Sequence, residues 1–305
     1  MSVDVAAVVV TCNSALEIDN CLRSLENVAE VVVVDNGSTD GTCRVVGGDR
    51  KGVRVIANPE NRGFASAANQ GVKATASSVL LFLNPDAALV SGLSLLLEQL
   101  RDPKVGAAAG RLVDLAGRTQ VGFGIRAFPT PAALAFEALL VNRIWRRNPV
   151  NRRYRCLDLD YGRAQDVEQP AGAFLAVRRD ALEAVGMWDE RFFPLWFEDV
   201  DLCLRIRKAG YSIRYVPDCV ARHRGAHSLA RISLEQKQIY WYGNLLSYTD
   251  KYFSPPARAG MRVWVVAGAL LRALAALGRG EAWQFYGKVI GLALRRRQVQ
   301  PNALT

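Results

Sequence analysis

The stretch EVVVVDNGSTDGT, residues 30–42, decides the fold. Four valines run without the apolar–polar alternation of a strand that has one face in water, so the strand predicted over 30–35 is buried on both faces. The chain then turns polar at Asp35-Asn36-Gly37-Ser38-Thr39-Asp40-Gly41, which is good turn sequence. The same design recurs on either side. VAAVVV (5–10), VRVIAN (53–58), SVLLFLN (78–84) and VGAAAGRLV (105–113) read as further strands, and helical stretches fall at 14–26, 39–46, 64–76 and 91–101. Apolar strands alternating with helices imply a parallel sheet covered on both faces, which binds ligands at the carboxyl ends of its strands.

Three strand ends should therefore bring polar residues to one edge: Thr11-Cys12-Asn13-Ser14, the Asp35–Gly41 turn, and Asn84-Pro85-Asp86. Neither GxGxxG after the first strand nor GxxxxGK[ST] occurs, which disfavours an ordinary dinucleotide or Walker-type site.

The bulk numbers set outer limits. The chain has 305 residues, half of them hydrophobic and 22% charged, enough for a sizeable core. The formal charge of +10 suggests an anionic partner. Six cysteines (12, 21, 43, 156, 203 and 219) form no CxxC pair and read as small buried side chains in a reducing compartment. No signal peptide is evident, and VWVVAGALL (263–271) is too short to span a membrane.

Regularity lapses over 117–168, read as a long excursion or mobile loop. Arg143, Arg146, Arg147, Arg152, Arg153 and Arg155 are interleaved there with Trp145 and Tyr154, either as a solvated basic face or as an anion contact. Order returns with a strand-like QPAGAFLAVRR (169–179), a short helix to Val185, a helix over 199–209 stopped by Gly210, and a strand SIRYVP (212–217). The tail, 231–295, reads as helical. Its residues 262–277, and 281–297 with Trp283 and Arg295-Arg296-Arg297, suit either a membrane-interface helix or a helical pair that caps the core or forms a homodimer.

Each candidate site residue has a plain role beside a chemical one. Asp35 turns the chain or bonds a base or ribose. Asn61 caps a helix or, with Gly63 and Phe64, meets a ligand, Gly63 allowing close backbone approach. Asp86 belongs to a common Asn-Pro-Asp turn or holds a hard divalent cation on a diphosphate. Glu198, Asp199 and Asp201 stabilise a helix start, or one of them is a base beside the aromatics of 188–197. Burial there would raise the proton affinity of such a carboxylate and the helix N-terminus would lower it, so no net shift is expected. His223 is a structural histidine or a nitrogen ligand to the cation at Asp86.

Together VVVTCNS, VVVVDNGSTDGT, NRGFASAANQG, LLFLNPDA, QPAGAFLAVRRD, FFPLWFEDVDLCLR and HRGAHS, spread over residues 3–228, resemble a family-2 glycosyltransferase of the GT-A fold, in the rhamnosyltransferase-like branch of bacterial cell-surface polysaccharide synthesis. The resemblance implies an α/β fold, a Rossmann-like and mostly parallel sheet flanked by helices, with a C-terminal helical extension. It implies a nucleotide-sugar half (1–115), an acceptor and base half (116–228) and a basic helical region (229–305). Carried over by position, Thr11, Asn13, Asp35, Asn36, Asn61, Gly63, Phe64, Asn69, Asn84 and Asp86 would bind the donor. Asp86 and His223 would hold Mg²⁺ or Mn²⁺, and Asn84 stands where the family motif has its first Asp, binding through its carbonyl or through water. Asp199 would be the general base, with Glu198 or Asp201 orienting it or the acceptor. Gly172, Ala173 and Trp196 would line the acceptor side.

One base without a second carboxylate nucleophile implies direct displacement with inversion. The expected reaction moves rhamnose or a similar sugar from a dTDP- or UDP-sugar to a saccharide acceptor, such as a polyprenyl-diphosphate saccharide, in the cytoplasm or at the inner face of the membrane. The competing reading is a catalytically inactive nucleotide-sugar or glycan binder of the same fold. Nucleic acid is disfavoured as a partner, because the basic residues form no recognisable module and the acidic cluster would repel phosphate.

Overall fold

The computed structural model describes residues 4–47, 50, 52–225, 232–275 and 281–295, with 281–284 described by backbone alone. The expected continuation of the tail through Arg296-Arg297, and the side chain of Trp283, lie outside the described residues.

The strands are β1 (Val5–Thr11), β2 (Glu30–Asn36), β3 (Val53–Asn58), β4 (Val79–Leu83), β5 (Ala87–Ser91), β6 (Val105–Val113), β7 (Ile125–Arg126), β8 (Gln165–Asp166), β9 (Gln169–Pro170), β10 (Phe174–Arg178) and β11 (Ser212–His223). The helices are α1 (Ile18–Ser24), α2 (Thr42–Val46), α3 (Phe64–Lys73), α4 (Leu93–Gln99), α5 (Pro131–Ala138), α6 (Val141–Ile144), α7 (Pro149–Tyr154), α8 (Arg179–Ala184), α9 (Glu198–Lys208), α10 (Leu234–Tyr252), α11 (Pro255–Ala275) and α12 (Glu281–Leu294).

The main sheet runs β3-β2-β1-β4-β10-β6-β11-β5, with β8 on β11. β3, β2, β1 and β4 are mutually parallel, as are β6 and β11. β10 enters antiparallel between the two groups. The valine run explains the layering. Val31 and Val33 face a core with Ile18, Cys21 and Leu22 of α1, while Val32 and Val34 face Ala67 of α3. Both faces are buried, which a parallel sheet requires. The small residues of α3 allow its close seat on the sheet, since a Cβ on Gly71 would fall 2.4 Å from a Val8 methyl.

Two registers position the site. Phe174 pairs with Leu83, so residues 172–173 lie beside the carboxyl end of β4, and Asn84 N–H donates to the Ala173 carbonyl at 3.0 Å. His223 pairs with Ala87, immediately after Asp86, and Arg224 N–H donates to the Asp86 carbonyl at 3.0 Å.

The structure departs from the sequence expectations in several elements. The first helix is shorter than 14–26, because Ser14 and Glu17 close turns before it. QPAGAFLAVRR is broken at Ala171–Ala173 into β9 and β10. SIRYVP continues to His223 beyond a bulge, where it gains β5 as a partner. The excursion is built of β7, three short helices and β8; Thr130 and Asn148 cap α5 and α7, each followed by a proline. The tail holds three helices, and its inner faces share one core with Phe197 and Val200. Of the cysteines, Cys21, Cys203 and Cys219 are buried and Cys43 is exposed. Among the described residues no helix is long and apolar enough to cross a membrane.

Candidate active site

The carboxyl ends of β1 and β2 are laced together by side chains. Asp35 is buried and accepts from Ser38 through both oxygens, from N–H at 3.0 Å and from the hydroxyl at 2.5 Å. Ser38 Oγ in turn accepts from Asn13 N–H at 2.7 Å, and Asn13 Oδ1 accepts from Thr39 N–H at 2.8 Å. Asn36 donates to Asn61 Oδ1 and to the Gly63 carbonyl, and accepts from Asn58 and from Arg62 N–H. Asn61 thus braces the turn before α3. The close approach at Gly63 is to protein: at φ 81° its Cβ would lie 2.8 Å from the Phe193 ring. Asn69 spans to the Trp188 backbone in both directions, at 3.0 and 3.1 Å, and to Glu190.

Asp86 Oδ1 and His223 Nε2 face each other at 3.4 Å, both side chains almost wholly buried. Gln120 fixes which ring nitrogen is bare. Its Nε2 donates to the His223 carbonyl at 2.8 Å, which leaves its Oε1 to accept from Nδ1–H at 2.9 Å. In a neutral ring Nε2 is then an acceptor aimed at an acceptor carboxylate, an arrangement that calls for a cation between or beside them. Phe123 stacks on the imidazole at 5.1 Å and holds the ring plane. One carboxylate oxygen and one imidazole nitrogen suit Mg²⁺ or Mn²⁺ that takes its remaining oxygens from a diphosphate and water. No group of three or more His, Cys, Asp or Glu side chains that could hold a metal occurs among the described residues.

Asp199 sits at the start of α9. Its Oδ2 accepts from Gly172 N–H at 3.1 Å and Gln169 Nε2 at 3.2 Å, and its Oδ1 accepts from Val200 N–H at 2.8 Å. Burial raises its proton affinity more than these N–H groups and the Arg126 charge lower it, so the expected cancellation does not occur. Glu198 is pushed well above the carboxylate range, first by burial and then by the charges of Asp199 and Asp201. The charge of Asp199 thus acts with burial to hold the proton on Glu198.

Asp201 turns away into a separate buried cluster. It accepts from Arg205 at 2.7 Å, from the Tyr252 hydroxyl at 2.5 Å and from Lys251, which also bonds Asp189 at 2.6 Å. Asn244 of α10 donates to the carbonyls of Phe193 (3.1 Å) and Leu195 (2.8 Å), just before Trp196. The tail therefore grips both α9 and the loop that leads into it.

These loops enclose a cleft of about 460 Å³. Thr11, Asn36, Asn61, Phe64, Asn84, Asp86 and His223 line it together with Gly172, Ala173, Trp196, Glu198 and Asp199. Asn13, Asp35, Gly63, Asn69 and Asp201 lie outside the lining. Three of the residues that line this cleft each hold a buried polar atom without a hydrogen-bond partner: Thr11 Oγ1, Gln169 Oε1 and Glu198 Oε2. Buried polar atoms are normally paired, so a ligand or water at these three would complete their bonding. Arg126, Gln120, Phe123 and Gln169 were not expected. Arg126, which lies over the Phe123 and Tyr154 rings at 5.9 and 6.0 Å, brings a cation to the cleft from a segment with no local pattern. Gln169 lies within the recognised QPAGAF segment and could have been read there.

A family profile described as Glycosyl transferase family 2 matches residues 6–186, more than half of the chain. The chain belongs to glycosyl transferase family 2. A second profile, Glycosyl transferase family group 2, matches residues 159–294 and so takes in much of the tail. An N-acetylglucosaminyl-diphospho-decaprenol L-rhamnosyltransferase of Mycobacterium tuberculosis is 30% identical over 284 residues, covering 86% of this chain and 89% of that one. This places the protein in the rhamnosyltransferase-like branch of the family-2 glycosyltransferases. Among solved structures, a mannosyltransferase from Pyrobaculum calidifontis in complex with GDP-Man and Mn²⁺ superposes with a TM-score of 0.55 at 20% identity, over 96% of this chain and 81% of that one. GalNAc-T7 with UDP, GalNAc and Mn²⁺ gives a TM-score of 0.53 at 14% identity, over 80% and 50%. Both share the GT-A fold with this family-2 enzyme.

Proposed function

We propose that this glycosyltransferase moves rhamnose, or a similar hexose, from a dTDP- or UDP-sugar to a saccharide carried on a polyprenyl diphosphate, with inversion, in the assembly of a cell-surface polysaccharide. The donor would lie along residues 1–115, the acceptor along 116–228, and 229–305 would complete the acceptor side at the inner face of the membrane. The observation that carries this reading is the meeting, in one cleft, of a cation-seeking Asp86–His223 pair with a buried, amide-held carboxylate at Asp199. The M. tuberculosis relative, named for a decaprenol-linked acceptor and rhamnosyl transfer, supports the choice of substrates.

Asp86 and His223 would hold Mg²⁺ or Mn²⁺, which when bound supplies Lewis-acid stabilisation to the departing diphosphate. Thr11, Asn36 and Asn61 would hold the nucleotide and ribose. Asn84, neutral, orients a phosphate oxygen or water without adding negative charge. Asp199 would take the proton of the attacking hydroxyl; its raised proton affinity makes it a stronger base than an exposed carboxylate. Gln169 and Gly172 N–H keep its Oδ2 in place, and protonated Glu198 adds no second negative charge beside it. Arg126 lies where a negatively charged acceptor group would enter.

The test is nucleotide release from a panel of dTDP-, UDP- and GDP-sugars, with and without Mn²⁺, in the wild type and in Asp199→Asn. Transfer is expected to vanish in the variant while donor affinity stays within about twofold. Loss of donor binding with an intact transfer step would refute the assignment of the base, and no nucleotide release from any donor would favour a binding protein.

A further inference from the structure

Residues 143–147, Arg-Ile-Trp-Arg-Arg, are five consecutive exposed residues that run from the last two positions of α6 into the turn before α7, with Ile144 88% and Trp145 58% exposed. The loop is held by buried groups. The Asn148 side chain, with no exposed surface, donates to Asn142 Oδ1 at 2.8 Å and to the Trp145 carbonyl at 2.6 Å, and accepts from Asn151 N–H at 2.8 Å. Asn151 Nδ2 donates to the Arg146 carbonyl at 2.6 Å, and Trp145 N–H donates to the Val141 carbonyl at 2.8 Å. Leu140 enters the turn in the left-handed region, at φ 63°. Two buried asparagines and a strained residue thus hold in place a tip whose two large apolar side chains touch little of the fold.

On α11, Val263, Leu270 and Leu274 are exposed at a spacing that keeps them on one face, with Leu271 beside them. This helix is tied to the end of α5 by Arg272, which donates to the carbonyls of Ala138 and Glu137. The loop begins only a few residues beyond that anchor. Arg143, Arg146 and Arg147 surround the apolar tip, and among the described residues neither Arg143 nor Arg146 forms an ion pair.

We propose that this loop docks the enzyme on an anionic lipid bilayer, with Ile144 and Trp145 entering the interface and the arginines on headgroup phosphates. Apolar side chains ringed by basic ones match both layers of such a surface. A second copy of the chain fits less well, since it brings the same arginines and a formal charge of +10. The purpose of docking rests on the lipid-linked acceptor proposed above; the docking itself is read from the loop. The helices on either side of this tip also supply Glu137, Tyr154 and Arg155 to the cleft, so docking would present the cleft beside the headgroups.

The experiment is sedimentation of the full chain with vesicles of equal parts phosphatidylglycerol and phosphatidylcholine, and with phosphatidylcholine alone. Wild type should bind the mixed vesicles in preference. Ile144→Ser/Trp145→Ser should lose at least about tenfold in partitioning. Arg143→Gln and Arg146→Gln should each weaken binding to the anionic vesicles roughly fivefold and leave binding to phosphatidylcholine unchanged. Trp145→Phe should retain binding. All the variants should release nucleotide from the donor at the wild-type rate, which reports that they fold. Failure of wild type to bind, or equal binding by the double Ser variant, would overturn the proposal. So would a concentration-dependent dimer in ultracentrifugation that the double variant abolishes. Vesicle binding without nucleotide release would support docking and sink the transferase reading; release without vesicle binding would do the reverse.

Discussion

Lys251→Met isolates the grip of the tail on the catalytic helix. Lys251 stands between Asp189 and Asp201 and contacts both. Asp201 has no exposed side-chain surface, so deleting its cation leaves a buried charge short of a partner. Removing one partner of a buried ion pair costs about 3–5 kcal/mol. Arg205 still pairs with Asp201 and Arg191 with Asp189, and Lys251 is 20% exposed, so the cost falls at or just below the bottom of that range, about 2–3 kcal/mol. In urea denaturation followed by tryptophan fluorescence, a slope of about 3 kcal/mol per M turns this into a midpoint lower by roughly 0.7–1 M. A cycle with Asp201→Asn decides the cause. If an uncompensated charge is what destabilises, the double variant should be less destabilised than the two single effects added, by about 1–2 kcal/mol. Because Asp201 lies two residues beyond Asp199, transfer should fall in Lys251→Met while donor affinity holds. A midpoint unchanged within error, or additive single effects, would refute the reasoning.

Glu198 and Asp199 give a pH prediction. Both have folded proton affinities above those of the unfolded chain, so the folded state holds more protons and loses stability as pH rises from about 4 through their folded values. Glu198→Gln should flatten that fall and be more stable than wild type at pH 8, measured by denaturation across pH; an unchanged slope would show that Glu198 ionises freely. Gln120→Leu should weaken Mn²⁺ affinity roughly 10–100-fold by freeing the His223 ring, as read by metal titration in the presence of nucleoside diphosphate. Gly63→Ala should lower stability by more than about 1 kcal/mol, because it combines a left-handed φ with a Cβ 2.8 Å from Phe193; an unshifted melting temperature would contradict that packing.

The parallel half of the sheet was legible because four valines admit only a strand buried on both faces, and the polar ends of β1, β2 and β4 do converge. The convergence of His223 with Asp86 stood in the sequence only as one of two alternatives, since it depends on β11 pairing with β5, and β5 gave no signal of its own. Asp201 read as a helix-start carboxylate. Its real partners lie some 50 positions away on α10, and no local periodicity encodes so distant a contact. Gln120 and Phe123 were hidden for the same reason, as both come from an irregular segment. The proton affinity of Asp199 was misjudged because the balance of opposing terms depends on its burial, which only the assembled aromatic loop supplies.

That loop explains why the tail belongs with the chemistry. Trp196 and Phe197 are consecutive non-glycine residues in the left-handed region, at φ 76° and 72°, directly before Glu198 and Asp199. Each such residue costs on the order of 1–3 kcal/mol and persists only where its surroundings over-determine it. Here the surroundings are largely α10. Asn244 bonds two carbonyls of the preceding loop, and Phe197 packs on Tyr248 and Trp241 with ring centroids 5.5 and 6.3 Å away. Two buried hydrogen bonds and two aromatic contacts contribute about 1 kcal/mol apiece, comparable in size to the strain they offset. The turn aims the start of α9 back at Gly172, where Asp199 finds its amide donor. The orientation of the candidate base is thus set by a helix whose first residue lies 35 positions further along the chain, and a change in how that tail sits would be felt at Asp199 before it was felt at the donor edge.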